Sequence, residues 1–154
     1  MNMEEKLTSF FRFEDLRVYD KSLEYYTWLT AQVKNADEFS RKSILMPFLD
    51  TAARISMNIA DGSSNHKSEF VDYLKYAKSH VRQCVVYTAM ALKNGVFTEE
   101  QSETSREMLM ELTKMIGAMV VSFQRSLNQR YENHHREEKS IDSEFSTSDM
   151  EFNY

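Results

Sequence analysis

The chain has 154 residues, 42% of them hydrophobic, and a formal net charge of -5. This length suits one domain around one core. Three glycines and one proline are too few for the turns of a β-sandwich or barrel, so an all-α fold is expected. Short apolar runs and the absence of a leader-like N-terminus predict a cytoplasmic protein with no membrane segment. The lone Cys84 excludes an intrachain disulfide and a zinc knuckle, and it is expected to be a small buried side chain.

The negative charge is concentrated at the C-terminus. Residues 132–154 contain seven acids and two bases, which accounts for the whole excess. Residues 12–131 carry a net charge of +1, and residues 41–93 hold eight bases against four acids. The middle of the chain is therefore mildly basic.

Apolar periodicity predicts the first two helices. The first is expected over residues 14–34, with an apolar stripe of Leu16, Tyr19, Leu23, Tyr26 and Val33. Residues 35–40 are predicted to be a link, after which Ser40 or Ser43 caps a second helix that has Pro47 in its first turn. We expect Gly62 to end this helix in the left-handed conformation. The predicted core face of the second helix consists of Leu45, Phe48, Ala52, Ile55 and Ile59.

The third and fourth helices have clearer end signals. The third is expected over Lys67–Lys93, capped from residues 63–65 and ended by Asn94 and Gly95. Thr98 and Gln101 have the spacing of a capping box at the start of the fourth. The predicted core side of the third helix is Phe70, Leu74, Ala77, Val81, Cys84 or Val85, Thr88 and Leu92. That of the fourth helix is Met108, Leu112, Met115, Met119, Phe123 and Leu127.

Four long helices with short links predict an antiparallel, up-down four-helix bundle. We expect the bundle to occupy residues 12–131, after a flexible N-terminal segment of residues 1–11. Residues 132–154 lose the periodicity and are predicted to form an acidic tail, disordered from about His135 onward. The tail also carries Phe145, Met150, Phe152 and Tyr154. It is interpreted as a solubilising extension, as a docking segment for a basic partner, or as a competitor that folds back on the basic helix.

Four segments carry a family resemblance: residues 13–19 (FEDLRVY), 58–62 (NIADG), 69–74 (EFVDYL) and 93–98 (KNGVFT). In this order and spacing they resemble the four-helix bundle proteins encoded in intervening sequences of bacterial 23S rRNA genes, over about residues 12–128. That group includes the accessory variability proteins of diversity-generating retroelements, which form homopentamers and bind nucleic acid and a reverse transcriptase. The resemblance thus implies a homopentamer whose partners are nucleic acid and a reverse transcriptase. Asp61 departs from the usual Glu, and Gln83 replaces a carboxylate.

Asn58 and Asp61 are predicted to serve assembly. A polar amide on a core-facing helix needs partners, so Asn58 is expected to form a hydrogen bond across the bundle or between subunits. Asp61 is unfavourably placed at a helix C-terminus, which suggests a specific cationic partner. The candidates are Arg54, Arg12 and Arg17. Together, Asn58, Asp61, Gly62 and Arg54 form the predicted assembly set.

Basic residues recur along the third helix. Lys67, Lys75, Lys78 and Arg82 are spaced eight, three and four apart, which places the last three on one face with Lys67 close to it. Such a stripe is able to neutralise phosphates without reading bases. The alternative interpretation is an ordinary solvated helix face.

Signals for catalysis are nearly absent from the sequence. It has no glycine-rich phosphate loop, no supported Ser/His/Asp order and no Glu-x-x-His pair of the di-iron type. His134 and Glu138 form a weak chelating pair at best. We therefore expect no enzymatic activity, no cofactor and no metal site.

The leading hypothesis is a non-enzymatic, oligomeric four-helix bundle that binds structured RNA or DNA through phosphate contacts, or assists a nucleic-acid enzyme such as a reverse transcriptase. The alternative is a protein-interaction scaffold with no nucleic-acid role. Abundant aromatic and methionine side chains favour self-assembly, and the resemblance implies a pentamer.

Overall fold

The computed structural model describes residues 10–148, and within them the fold is all-α with four helices packed against each other. The helices are α1 (Arg17–Val33), α2 (Met46–Ser63), α3 (Lys67–Lys93) and α4 (Glu99–Ser148). Neighbours pack in the order α1, α2, α3, α4, and α4 closes the ring against α1, so α1 and α3 are diagonal. The predicted helical architecture is confirmed.

Hydrogen bonds between helices establish their antiparallel directions. Ser105 of α4 contacts Tyr25 of α1, while Gln101, one turn earlier on α4, contacts Gln32 further along α1. Between α3 and α4, Thr88 contacts Ser105, and Lys67, near the start of α3, contacts Ser126, further along α4. Residue numbers increase along one helix as they decrease along its neighbour, as in an up-down bundle.

The core face of α1 differs from the predicted stripe. The buried residues are Val18, Ser22, Tyr25 and Leu29, a face offset by about one residue from the predicted one. Leu23, from the predicted stripe, is 39% exposed. The prediction fails because the true face contains Ser22, whose hydroxyl is satisfied by Ser56 of α2 at 2.7 Å. A buried serine with a distant partner does not register in an apolar pattern.

The chain enters α2 through an irregular helical segment. Asp37 caps a single turn, Glu38–Ser40, by accepting a hydrogen bond from the Ser40 backbone N–H at 2.9 Å, so the predicted cap at Ser40 or Ser43 is wrong. A π-helical stretch, Arg41–Leu45, follows directly and leads into α2. Pro47 lies in the first turn of α2, as predicted. In a regular α-helix its ring would clash with the carbonyl four residues earlier, and the wider π turn just before it offers room.

Gly62 does not end α2 in the left-handed conformation, contrary to the prediction. Among residues 10–148 the only positive φ belongs to Gly95, at 69°. Gly62 is buried inside α2, where an added Cβ would lie 2.5 Å from the Cβ of Tyr73 and 2.7 Å from the Cδ2 of Phe70. Glycine is needed there because α2 and α3 approach closely.

Residues 63–65 serve the end of α2 and do not cap α3. Ser63 Oγ donates to the carbonyl of Ala60, while Ser64 Oγ and Asn65 Nδ2 both donate to that of Asp61. These bonds satisfy carbonyls that lose their helical partners at a C-terminus. The N-cap of α3 is His66, which makes no side-chain capping bond, so the predicted cap is wrong.

Both ends of the link between α3 and α4 match the prediction. Asn94 and Gly95 end α3, and Gly95 adopts the left-handed conformation. Thr98 and Gln101 form the reciprocal capping box. The Thr98 backbone N–H donates to Gln101 Oε1 at 2.8 Å, and the Gln101 backbone N–H donates to Thr98 Oγ1 at 3.1 Å. Gln101 also donates to Gln32 of α1, which ties this corner to the bundle.

The core contains a buried polar layer. Tyr25 Oη lies 2.8 Å from Ser105 Oγ, which lies 2.7 Å from Thr88 Oγ1, and Thr88 donates to the carbonyl of Cys84. Among the described residues no buried side-chain polar atom lacks a partner. Burial raises the pKa of Tyr25 far above its usual range and that of the Cys84 thiol to about 12. Cys84 is fully buried, as expected.

The predicted core sides of α2 and α3 are largely confirmed, and that of α4 is confirmed in part, since Leu112 is buried as predicted. All five predicted α2 residues are buried, whereas Leu92 of α3 is 36% exposed and Ala91 takes its place. On α4 the fully buried apolar residues are Leu109, Leu112 and Ile116, while four of the predicted residues are partly buried around them. Those four are Met108, Met115, Met119 and Phe123.

α4 continues beyond the other helices to Ser148, and residues 128–146 are all exposed. A single helix without packing has little stability of its own in water, so the disorder proposed for the acidic tail stays a prediction. Residues 149–154 and most of the predicted N-terminal segment 1–11 lie outside the described residues.

Candidate nucleic-acid interface

The basic stripe predicted on the third helix lies on the surface of α3. Lys75, Lys78 and Arg82 are all exposed and share one helix face. None forms an ion pair within residues 10–148, and α3 has no acid from residue 73 to its end. Asp72 lies one turn before Lys75, so the three exposed cations have one acid beside them and still form a surface of net positive charge that attracts anions.

Lys67 lies apart from these three, against α4. Its Nζ donates to Ser126 Oγ at 3.0 Å and lies 5.9 Å from the ring centroid of Phe123. Ser126 lines a shallow depression of α4 together with Arg125. Arg125 was not among the predicted residues, although no acid occurs between Glu111 and Glu132.

The predicted assembly residues do not form one cluster in the protomer. Asn58 Nδ2 donates to the carbonyl of Arg54 at 2.7 Å, so its bond lies within α2 and the expected bond across the bundle is wrong. The Asp61 side chain is exposed and makes no ion pair with any cation in residues 10–148. Gly62 acts through helix packing. A contact of Asn58 or Asp61 between subunits stays a prediction.

An apolar groove lies between α1 and α2. It has a volume of about 370 Å³, and Phe13, Tyr19, Leu23, Tyr26 and Met57 are among the residues that line it. Met57 is 62% exposed. Three residues of the predicted α1 stripe, Tyr19, Leu23 and Tyr26, therefore line a surface groove, where they remain partly accessible to a partner.

The histidines of α4 lie near one carboxylate. His134 Nε2 is 3.4 Å and His135 Nδ1 is 3.1 Å from oxygens of Glu138. Over the described part of the chain, no group of three or more His, Cys, Asp or Glu side chains is arranged to hold a metal ion. No helix in residues 10–148 is both long and apolar enough to cross a bilayer.

These features define a four-helix protein that carries an unpaired basic face on α3 and an apolar groove between α1 and α2. The chain belongs to the 23S rRNA-intervening sequence protein family, whose family model matches residues 14–118. The predicted resemblance is thus confirmed at the level of that family. The match includes all of α1, α2 and α3 and ends within α4. Comparison with curated proteins finds no match.

Proposed function

We propose that this protein is a non-enzymatic, oligomeric accessory protein that binds structured RNA or DNA through phosphate contacts, alone or beside a nucleic-acid enzyme such as a reverse transcriptase. The observation that carries the proposal is the exposed face of Lys75, Lys78 and Arg82, none of them ion-paired within residues 10–148. Lysine and arginine on one helix face neutralise phosphates and leave the bases unread.

Self-assembly is part of the proposal, with a pentamer as the expected form. It is supported by the apolar groove between α1 and α2, where Leu23 and Met57 are 39% and 62% exposed. Apolar surface of this kind is commonly covered by another protein. Light scattering at micromolar concentration is expected to give a mass above the 18.2 kDa of one chain. A monomer would contradict the assembly proposal.

A salt titration tests the nucleic-acid proposal. Binding to structured RNA and to duplex DNA is measured with the full chain and with a chain that ends at Tyr131. We expect log affinity to fall linearly with log salt, because bound cations release the counterions of the phosphates. If the acidic tail competes for the basic face, the shorter chain binds more tightly. Absence of binding by both chains at low salt would refute the proposal.

The second candidate function is a protein-interaction scaffold. It is favoured by the same apolar groove, which accepts side chains of a protein partner as readily as those of a second copy. The scaffold predicts an interaction that is insensitive to salt and abolished by Met57→Asp. The nucleic-acid function predicts steep salt dependence that persists in this variant, even where the substitution breaks up the oligomer.

A further inference from the structure

A line of aromatic rings runs from the start of the described chain to the apolar groove between α1 and α2. The ring centroids of Phe10 and Phe11 lie 5.1 Å apart, and those of Phe11 and Phe13 lie 6.0 Å apart. Phe13 in turn packs edge-to-face against Tyr19, with 5.1 Å between the ring centroids. Phe13 and Tyr19 both line the groove, whereas Phe10 and Phe11 lie outside it. We call Phe10 and Phe11 the aromatic arm.

A short helical turn fixes the backbone next to the aromatic arm. Residues Arg12–Asp15 form a 3-10 turn with Phe11 as its N-cap residue, whose carbonyl accepts a hydrogen bond from the Glu14 backbone N–H at 3.0 Å. The Leu16 backbone N–H donates to the Phe13 carbonyl at 3.1 Å and joins this turn to α1. The turn places Phe13 at the rim of the protomer's own groove. The aromatic arm therefore projects beyond that rim and does not fill the groove.

The aromatic arm and the groove together form a contiguous apolar surface. Phe10 is 77% exposed and Phe11 is 49% exposed, and the exposed Met57 lies in the groove wall. Single exposed apolar side chains are normal in proteins, but a contiguous apolar patch marks an interaction surface. The two rings of the arm expose roughly 250 Å², because a whole aromatic side chain has about 150–250 Å² to bury.

The groove suits aromatic rings in its chemistry and in its size. Among the described residues, none that lines it is charged, and the hydroxyl of Ser56 in its wall is already bonded to Ser22. A cavity of about 150 Å³ holds a benzene molecule. The groove has a volume of about 370 Å³, so it offers room for two phenyl rings.

We infer that the groove receives the aromatic arm of a second copy of this chain, so that Phe10 and Phe11 of one protomer enter the groove between α1 and α2 of the next. The protomer carries both halves of this contact, a projecting pair of rings and an uncharged recess of matching size. The inference rests on the self-assembly part of the proposed function, and it names the residues that a neighbouring copy contributes to the groove.

The area of this contact makes it the centre of an interface between copies. Burial of the arm together with the groove surface opposite removes about 500 Å² from water, which is half of the roughly 1,000 Å² that a specific interface needs. Aromatic side chains held in a pocket commonly contribute most of the binding energy of an interface. The contact joins two unlike surfaces, so it is compatible with a closed ring of protomers.

Analytical ultracentrifugation of the full chain over a range of concentrations tests this inference. The arm variant Phe10→Ala/Phe11→Ala and the groove variant Met57→Asp should each weaken self-association by about tenfold or more. Both should then sediment near the 18.2 kDa of one chain at concentrations at which wild type is assembled. The matched controls Phe39→Ala and Met110→Asp replace exposed side chains outside the arm and the groove, and both should assemble like wild type.

A mixture of the arm variant and the groove variant is the decisive measurement. The groove variant keeps an intact arm and the arm variant keeps an intact groove, so one contact between the two unlike chains remains. The mixture should therefore form a complex of one chain of each variant at concentrations at which each variant alone is a monomer. High salt should leave this complex intact, because the contact is apolar and salt screens only charges.

Each contrary result has its own meaning. Assembly of either variant like wild type would overturn the inference, while self-assembly itself would stand. If both variants are monomers and their mixture also stays monomeric, the exchange of arms between copies is wrong. A monomeric wild type would refute the inference together with the assembly proposal, and the binding of nucleic acid would still be judged by its own titration. Thermal melts of every variant establish that the fold is intact.

Discussion

Replacement of Gly62 by alanine tests the close approach of α2 and α3. The new Cβ would lie 2.5 Å from the Cβ of Tyr73, and both atoms are fixed to helical backbones, so no rotamer change relieves the overlap. Overpacking of this kind costs about 1–3 kcal/mol, and at this distance we expect the upper end. The better helix propensity of alanine returns about 1 kcal/mol.

The net expectation for Gly62→Ala is a loss of about 2 kcal/mol, or a fall in Tm of about 4–8 °C for a domain of this size. Calorimetry or circular dichroism measures the fall. Gly117→Ala is the matched control, because this helical glycine has nothing within 4 Å of an added Cβ. The control should gain about 0.5–1 kcal/mol. A Gly62→Ala protein as stable as wild type would refute the packing described for α2 and α3.

Three further predictions concern the core and one helix cap. Tyr25→Phe leaves the bond between Ser105 and Thr88 intact and should lower the free energy of unfolding in urea by about 1 kcal/mol. Ser105→Ala should lower it by more, within about 1–3 kcal/mol, because it leaves the buried hydroxyl of Tyr25 without its partner. Equal losses in the two variants would contradict the polar layer. Because burial raises the pKa values of Cys84 and Tyr25 in the folded protein, the unfolded chain loses these protons at a lower pH than the folded protein does. The free energy of unfolding should therefore be unaffected below about pH 8.5 and fall as the pH rises toward 12. Urea unfolding at pH 8 and 10.5 checks this sign, and the thiol should be inert to a thiol reagent at pH 8 until the chain is denatured. Gln101→Ala removes half of the capping box and the bond to Gln32, so we expect the free energy of unfolding to fall by about 1 kcal/mol. A variant as stable as wild type would contradict the cap.

Sequence patterns predicted the elements whose signals are local. α3 begins and ends where predicted, because Gly95 supplies the left-handed stop and the apolar spacing is regular along the helix. The core face of α2 was also predictable, since five of its eight buried residues are apolar and recur at helical spacing.

The failures arise where a residue's role depends on another helix. Ser22 is buried because Ser56 satisfies it, and Gly62 is required because Tyr73 lies against it. Ser56 and Tyr73 each belong to the helix that follows that of Ser22 or Gly62, so the sequence pattern of a single helix does not reveal these contacts. The offset of the α1 stripe follows from the first of these contacts.

The candidate site was predictable in part for the same reason. Spacing alone places Lys75, Lys78 and Arg82 on one face. The position of Lys67 against Ser126 depends on how α3 packs against α4. This contact between the two helices therefore required the structure.

The most direct test of the central claim compares wild type with Lys75→Gln/Lys78→Gln/Arg82→Gln in binding to a double-stranded RNA at several salt concentrations. If the α3 face contacts phosphates, the slope of log affinity against log salt should fall by about 3 in the triple variant, with its thermal melt unchanged. An unchanged slope in a folded triple variant would contradict the claim that this face binds nucleic acid.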